Sequence, residues 1–268
     1  MSSVQGKRGF FWNSRVLFPG RSIPNSALLP VRTDVPPDPG FLKQIAPYQE
    51  ELHRLMEEET AFSDSTLEGI GATQRSTNLG NLLCDILREG YGTDISLLDS
   101  DLLEGKNLPM GVVRGKDLLR LLDSRSNQQI LTGQVSGEAF LDILEESVAG
   151  TMEGRPLLIQ AAGVVFEYDT ARPSGRRIVR AWVRGSALER QRIYSLVTPS
   201  SLLSGKTAGS AFSRIANVKC TNRDFFSVIL EGVRKKEKIS WRYEERAVRI
   251  ISDFREKTSQ GKTGKEPK

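Results

Sequence analysis

Along most of the chain the apolar residues repeat at one of two periods. At helical spacing they fall at Leu42, Ile45, Ala46, Leu52, Leu55 and Met56, then at Leu79, Leu82, Leu83, Ile86 and Leu87. They do so again at Phe140, Leu141, Ile143, Leu144 and Val148, and at Phe225, Phe226, Ile229, Leu230 and Val233. Such spacing lines one side of a helix. The first helix follows the rigid linker Val35-Pro36-Pro37-Asp38-Pro39, in which Asp38 can cap and Pro39 can take the first helical position. The second is expected from Asn78 to Tyr91, stopped by Gly92. A short one spans Gly115 to Leu122. Another runs from Gly137 to Ala149 with Ser136 as its N-cap, and the last from Asp224 to Val233.

Elsewhere the period falls to two, or the apolar run is continuous. Ile95–Leu98, Gln129–Val135, Leu157–Tyr168, Ile178–Val183, Ile193–Thr198 and Trp241–Ile251 each read as one strand. Ala171-Arg172-Pro173-Ser174-Gly175 is a turn. Residues 60–74 read as a polar loop and 100–112 as irregular. Helices and strands are mixed without strict alternation, so the expected class is α+β.

Charge divides the chain more sharply than periodicity does. Residues 1–33 hold five basic residues and no acid, and residues 234–268 hold twelve Lys and Arg against six Asp and Glu. The whole chain is +5, which leaves residues 34–233 at −6. An acidic body argues against a nucleic-acid-binding core. The basic ends suit an acidic partner, nucleic acid or a membrane surface, and equally suit solvated tails. The first segment also carries Phe10, Phe11, Trp12 and Phe18 among prolines. It reads as an extended arm that docks on a protein partner, with an organellar transit peptide as the rival.

The expected organisation is an arm over 1–33, a linker helix over 34–59, a domain over 60–251 and a disordered basic tail over 252–268, which could also contact a partner. No apolar run is long enough to span a membrane, and no secretory signal follows Met1. The expected location is intracellular, with the acid-free, Arg-containing start pointing toward a mitochondrion.

Little in the chain suggests catalysis. A two-metal phosphoesterase site needs several His, Asp and Asn ligands. The chain has one histidine, His53, set among Glu50, Glu51, Glu57 and Glu58. Cys84 lies on an apolar helix face, where a buried thiol is expected. Gly205-Lys206-Thr207 lacks the glycine that a phosphate-binding loop needs five residues earlier, where Ser200 stands. Arg172, Arg176, Arg177, Arg180 and Arg184 suit a phosphate or RNA contact, or simply the outer face of a strand. No metal, no cofactor and no catalytic residue is expected.

The densest motif is Ser76-Thr77-Asn78-Leu79-Gly80-Asn81-Leu82, followed by Asp85. Downstream come Leu131-Thr132-Gly133, then Leu141–Glu145, then Gly163, Tyr168-Asp169, Pro173, Gly175, Arg177 and Ile178. In this order the motifs resemble the C-terminal, nucleotide-recognition domain of the 5'-nucleotidase family, over residues 28–251. The resemblance implies that family's fold, with Asn78, Gly80, Asn81, Asp85, Gly163, Asp169 and Gly175 as motif residues. It also implies a phosphoric-ester hydrolase ancestry in nucleotide catabolism. The family's catalytic metallophosphoesterase domain is expected to be absent, which would make this a pseudoenzyme.

The resemblance breaks where the family holds its nucleotide. Its loop reads N-S-G-G-I-R, against Asp99-Ser100-Asp101-Leu102-Leu103-Glu104 here. Its P-F-x-N segment falls at Asp123–Asn127, without the aromatic. Its second aromatic segment falls at Leu202–Ser210, where the aspartate and the following aromatic are gone. Asn127 and Arg75 remain as candidate ligand-facing residues, Arg75 equally as a structural ion pair. Nucleotide binding is expected to be weak or lost. The chain then reads as a non-catalytic binding or structural subunit. The alternative is the recognition part of a nucleotidase whose catalytic domain lies on another chain or has been truncated.

Overall fold

The computed structural model describes residues 36–103, 105–122, 127–152, 159–204, 210–240 and 244–251. The expected arm and tail lie outside them. The chain divides into a unit ending at Pro47 and a unit from Tyr48 onward.

Helix α1 spans Pro39–Glu57, and the Phe41 N–H donates to Asp38 Oδ1 at 2.8 Å, so Asp38 is its N-cap. None of its residues is buried, and Phe41, Leu42, Tyr48 and Leu52 are exposed. From Glu59 onward the elements are β1 (Glu59–Ser63), β2 (Leu67–Glu68), α2 (Asn78–Tyr91), β3 (Ile95–Leu98), β4 (Asn107–Leu108), β5 (Gly111–Arg114), α3 (Gly115–Leu122), β6 (Gln129–Ser136) and α4 (Gly137–Met152). There follow β7 (Gln160–Ala162), β8 (Val164–Tyr168), β9 (Ile178–Val183), β10 (Ser186–Ala187), β11 (Ile193–Pro199), α5 (Ser201–Ser204), β12 (Ala216–Asp224), α6 (Phe225–Lys236), β13 (Lys238–Ile239) and β14 (Ala247–Arg249).

The central sheet has the order β12-β6-β11-β3-β7. It is covered on both sides, which explains why all four residues of β3 are buried, Ser96 included, its hydroxyl donating to Cys84 O at 2.7 Å. Its Ile95 and Leu97 join Phe140, Ile143, Leu144 and Val148 of α4 in one core. Leu98 joins the other core, with Leu79, Leu83 and Leu87 of α2, Leu121 of α3 and Phe225 and Ile229 of α6. A second sheet, β10-β9-β8-β14, extends the α4 core through Phe166, Tyr168 and Val183. The mixed helices and sheets are the α+β class that the sequence implies.

The structure corrects four expectations. Residues 60–74 are not all loop, because β1 pairs with β5 and with β13. Its buried Thr60 and Ser63 satisfy their hydroxyls on Val113 O at 2.8 Å and Ser65 O at 2.7 Å, so the strand forms without an apolar pattern. The run 157–168 is not one strand. Gly163, at φ +79°, ends β7 in the central sheet and starts β8 in the second sheet. Of the expected strand over Trp241–Ile251, the described residues form a strand only at Ala247–Arg249, β14, which pairs with β8, while β13 lies before that segment and pairs with β1. The irregular stretch 100–112 contains a 3₁₀ turn at Ser100–Leu102, β4 and the start of β5. β12, nine residues long, has no counterpart in the periodicity, being an edge strand with most of its residues exposed.

Candidate functional site

The Ser76–Asp85 motif anchors chain segments that are distant in sequence. Ser76 Oγ accepts from the N–H groups of Arg246 and Ala247, at 3.2 and 2.9 Å, and so holds the start of β14. Thr77 is the N-cap of α2, its Oγ1 accepting from Gly80 N at 3.1 Å. Asn78 bridges to the β2 region, accepting from Glu68 N and donating to Thr66 O. Asn81 is fully buried and donates to Glu244 O at 2.7 Å.

Asp85 forms an ion pair with Arg246 at 2.8 Å, with the two side chains only 15% and 10% exposed. Arg246 also donates to Ala161 O at 3.0 Å, tying β14 to β7 and α2 together. Burial works against its charge. The hydrogen bond and charge of Asp85, helped by Glu244, outweigh burial and hold its pKa above the ordinary arginine value.

Gly80 makes room for a second buried polar residue, Gln160. That side chain accepts from Thr77 N at 3.0 Å and donates to Ala72 O and Arg75 O at 2.7 and 2.9 Å. A Cβ on Gly80 would stand 2.3 Å from Gln160 Oε1. In an open helix interior Gly→Ala gains about 1 kcal/mol. Here the sign should reverse. Gly80→Ala should destabilise the protein by about 2 kcal/mol, since Gln160 must shift and strand its partners. Urea denaturation measures this, and an unchanged or raised midpoint would show that Gln160 adapts freely.

The other motif residues also shape the backbone. Gly163 makes the switch between sheets, where a Cβ would meet Asp94 O at 2.0 Å. Buried Asp169 accepts from Ala171 N at 2.9 Å, and its N–H donates to Arg177 O, closing the turn in which Gly175 takes φ +79°. Cys84 is buried, and burial pushes its thiol up to about 12.

Topology gathers the loops that the resemblance singles out. β3 runs parallel to β11, and β6 runs antiparallel to β11 with Ile130 opposite Pro199. The segments after β3, before β6 and after β11 therefore emerge at one edge of the central sheet. β7 begins at that edge too, with Gln160 opposite Leu98. On this edge stand Asp99 and Asp101, exposed Asn127, Gln128, and Ser201 with its N–H on Gln128 Oε1 at 3.3 Å. The Arg75 carbonyl is held there by Gln160. β6 and β7 are three strand spacings apart, about 14 Å, so Arg75 and Asn127 share the edge without touching.

The Arg75 guanidinium turns to Glu68 Oε2 and Ile70 O, both at 3.4 Å. Lys106 donates to Leu121 O at the end of α3. Glu104, Asp123–Ser126 and residues 205–209 of the loop after α5 lie outside the described residues.

Sequence reasoning missed Gln160 and Arg246. Gln160 had a signal, a polar residue inside an apolar run. Arg246 had none, because Glu244-Glu245-Arg246 reads as a solvated face.

This fold, a mixed sheet between two helical cores with its loops converging on one edge, is shared with the C-terminal part of solved nucleotidases. The family model described as "5'-nucleotidase, C-terminal domain" matches residues 60–214. The chain belongs to this family. It is 25% identical over 198 residues to a snake venom 5'-nucleotidase of Crotalus adamanteus, covering 64% of this chain and 33% of that protein. To a 5'-nucleotidase of Bos taurus it is 22% identical over 214 residues, 70% of this chain and 36% of that one. The chain thus spans about a third of the length of these relatives.

Among solved structures, a 5'-nucleotidase precursor from Thermus thermophilus superposes with a TM-score of 0.67 at 21% identity, over 81% of this chain and 44% of that one. The NAD nucleotidase of Haemophilus influenzae does so with 0.70 at 15% identity, over 80% and 42%.

Proposed function

We propose that this chain works by binding and not by hydrolysis, as a binding or structural subunit of a larger assembly built on a 5'-nucleotidase C-terminal domain. The observation that carries this reading is the chemistry of the converging edge. Asp99 and Asp101 stand where a phosphate-gripping loop is expected, and the Arg75 guanidinium faces Glu68. A carboxylate 4 Å from a phosphate charge repels it by about 4 kcal/mol at an effective dielectric of 20. The sequence adds Glu104 in place of the family's arginine and no aromatic in 123–127. Base stacking worth roughly 1–3 kcal/mol per aromatic face is then missing. The motif around Asn78 supports the same reading, because the Ser76, Thr77 and Asn78 side chains hydrogen-bond the protein's own backbone and Asp85 pairs with Arg246.

Attachment to partners falls to the aromatic, basic arm over 1–33, with the tail over 252–268 as a second contact. The setting is intracellular, with the mitochondrion as the compartment. The competing reading is the recognition part of a metal-dependent nucleotidase whose catalytic part is elsewhere, and the one-third span of the relatives favours testing it.

Purified full chain given Mg²⁺, Mn²⁺, Zn²⁺ or Co²⁺ should release no phosphate from nucleoside monophosphates. Calorimetry with AMP should not saturate below about 1 mM, a binding free energy weaker than about 4 kcal/mol. Micromolar AMP binding, or metal-dependent turnover abolished by a chelator, would overturn the proposal. Turnover appearing only on mixing with a nucleotidase catalytic domain would establish the competing reading.

A further inference from the structure

A cavity of about 440 Å³ opens between the C-terminal half of α2 and the β8–β9 pair. It lies at the opposite end of β3 from the converging edge, since Gly163 in its wall abuts Asp94, just before that strand. Three arginines line it, Arg88, Arg184 and Arg246, against two carboxylates, Asp85 and Glu244. Both carboxylates are taken up by Arg246, at 2.8 and 3.0 Å. Arg184 is loosely held, 3.4 Å from Asp94 and 63% exposed.

Arg88 is different. Its Nε is shut off from solvent, and no acceptor among the described residues reaches it. A buried guanidinium N–H without an acceptor is costly and is the exception in folded proteins. The lining holds three guanidinium groups against two carboxylates, and Arg88 Nε is the donor among them left without an acceptor among the described residues.

The opposite wall is apolar. Val165 and Trp182 are directly paired across β8 and β9 and both line the cavity. The turn beyond Trp182 places Arg184 at φ +51°, followed by Gly185 at +79°. The first position of such a turn favours Asn, Asp or Gly. An arginine is held there in a sparsely populated conformation, and strain of this kind gathers at binding sites.

We infer that this cavity binds a small aromatic anion, a carboxylate or phosphate ester on a planar ring. Its charged group would be received by Arg88 and Arg184 and its ring by Trp182 and Val165. The site is independent of the converging edge and of the reading proposed for it. It needs no metal and implies no reaction.

Calorimetry on the full chain with benzoate and phenyl phosphate tests this, with acetate and inorganic phosphate as anions without a ring and benzyl alcohol as a ring without charge. Both aromatic anions should bind with Kd near or below about 1 mM, and every control about tenfold or more weaker. Arg88→Leu and Trp182→Leu should each weaken phenyl phosphate about tenfold. Arg88→Lys should recover part of the loss, because it keeps the charge but not the planar fork. Far-ultraviolet circular dichroism verifies that each variant is folded, and Val165→Ala provides a second probe of the wall should Trp182→Leu unfold. Absence of saturable binding by either aromatic anion would overturn the inference. So would equal binding of ringless anions, or affinities unchanged in the Arg88 and wall variants.

Discussion

Arg246→Met should lower the melting temperature by about 10 °C. Methionine keeps most of the length and apolar stem of arginine, so the change isolates the loss of the guanidinium. That group joins Asp85 of α2, Ala161 O of β7 and Glu244 beside its own strand. Removing one partner of a buried pair leaves the other charge uncompensated, at a cost of about 3–5 kcal/mol. For a domain of this size each kcal/mol shifts the melting temperature by roughly 2–4 °C.

Asp85→Asn should cost less, because the amide oxygen still accepts a hydrogen bond and Glu244 still offsets the positive charge. In the double variant the two losses should not add, since the groups share one interaction. Scanning calorimetry or thermal circular dichroism on the four proteins closes the cycle. Additive losses would mean that the ion pair is not what holds β14, and that Ser76 and the strand pairing suffice.

This ion pair also shows how far the sequence reaches. Asp85 was legible as a motif residue, but its partner lies 161 residues on, in a segment whose charges look solvated. Pattern reveals which face of an element is apolar. It does not reveal which distant charge an isolated acid on that face will meet. The α2 helix, by contrast, was legible to the residue, because its N-cap Thr77, its αL stop Gly92 and its apolar stripe all agree.

β1 and β12 were illegible for opposite reasons. β1 buries two hydroxyl side chains and only the small Ala61, while β12 buries almost nothing. Arg75 and Asn127 were read as separate candidate ligand-facing residues, and only sheet topology puts Asn127 and the Arg75 backbone on a common edge. That Arg75 turns toward Glu68 follows from the β2 turn packing beside it, which 60–74 read as a loop could not suggest.

Gly163→Ala should be among the most damaging small substitutions in the chain, and Gly175→Ala supplies its control. Both glycines sit at φ +79°. Alanine in that region costs about 1–2 kcal/mol from backbone sterics alone. At Gly175 no atom of the described residues lies within 4 Å of the added methyl, so this term should be nearly the whole effect. At Gly163 the methyl would stand 2.0 Å from Asp94 O and 2.9 Å from Arg88 Cδ. The first of these is backbone, fixed because the Asp94 carboxylate accepts from Ser195 N and Oγ at 3.0 and 2.8 Å. Relief would require the junction between the two sheets to open, since Arg184 N also donates to Gly163 O at 2.8 Å. The expected loss at Gly163 is therefore at least about 3 kcal/mol, combining strain with overpacking. Urea denaturation of the two variants beside the parent gives the comparison directly. Equal losses at the two positions would show that Asp94 yields to the methyl, and that Gly163 serves only its own backbone angle.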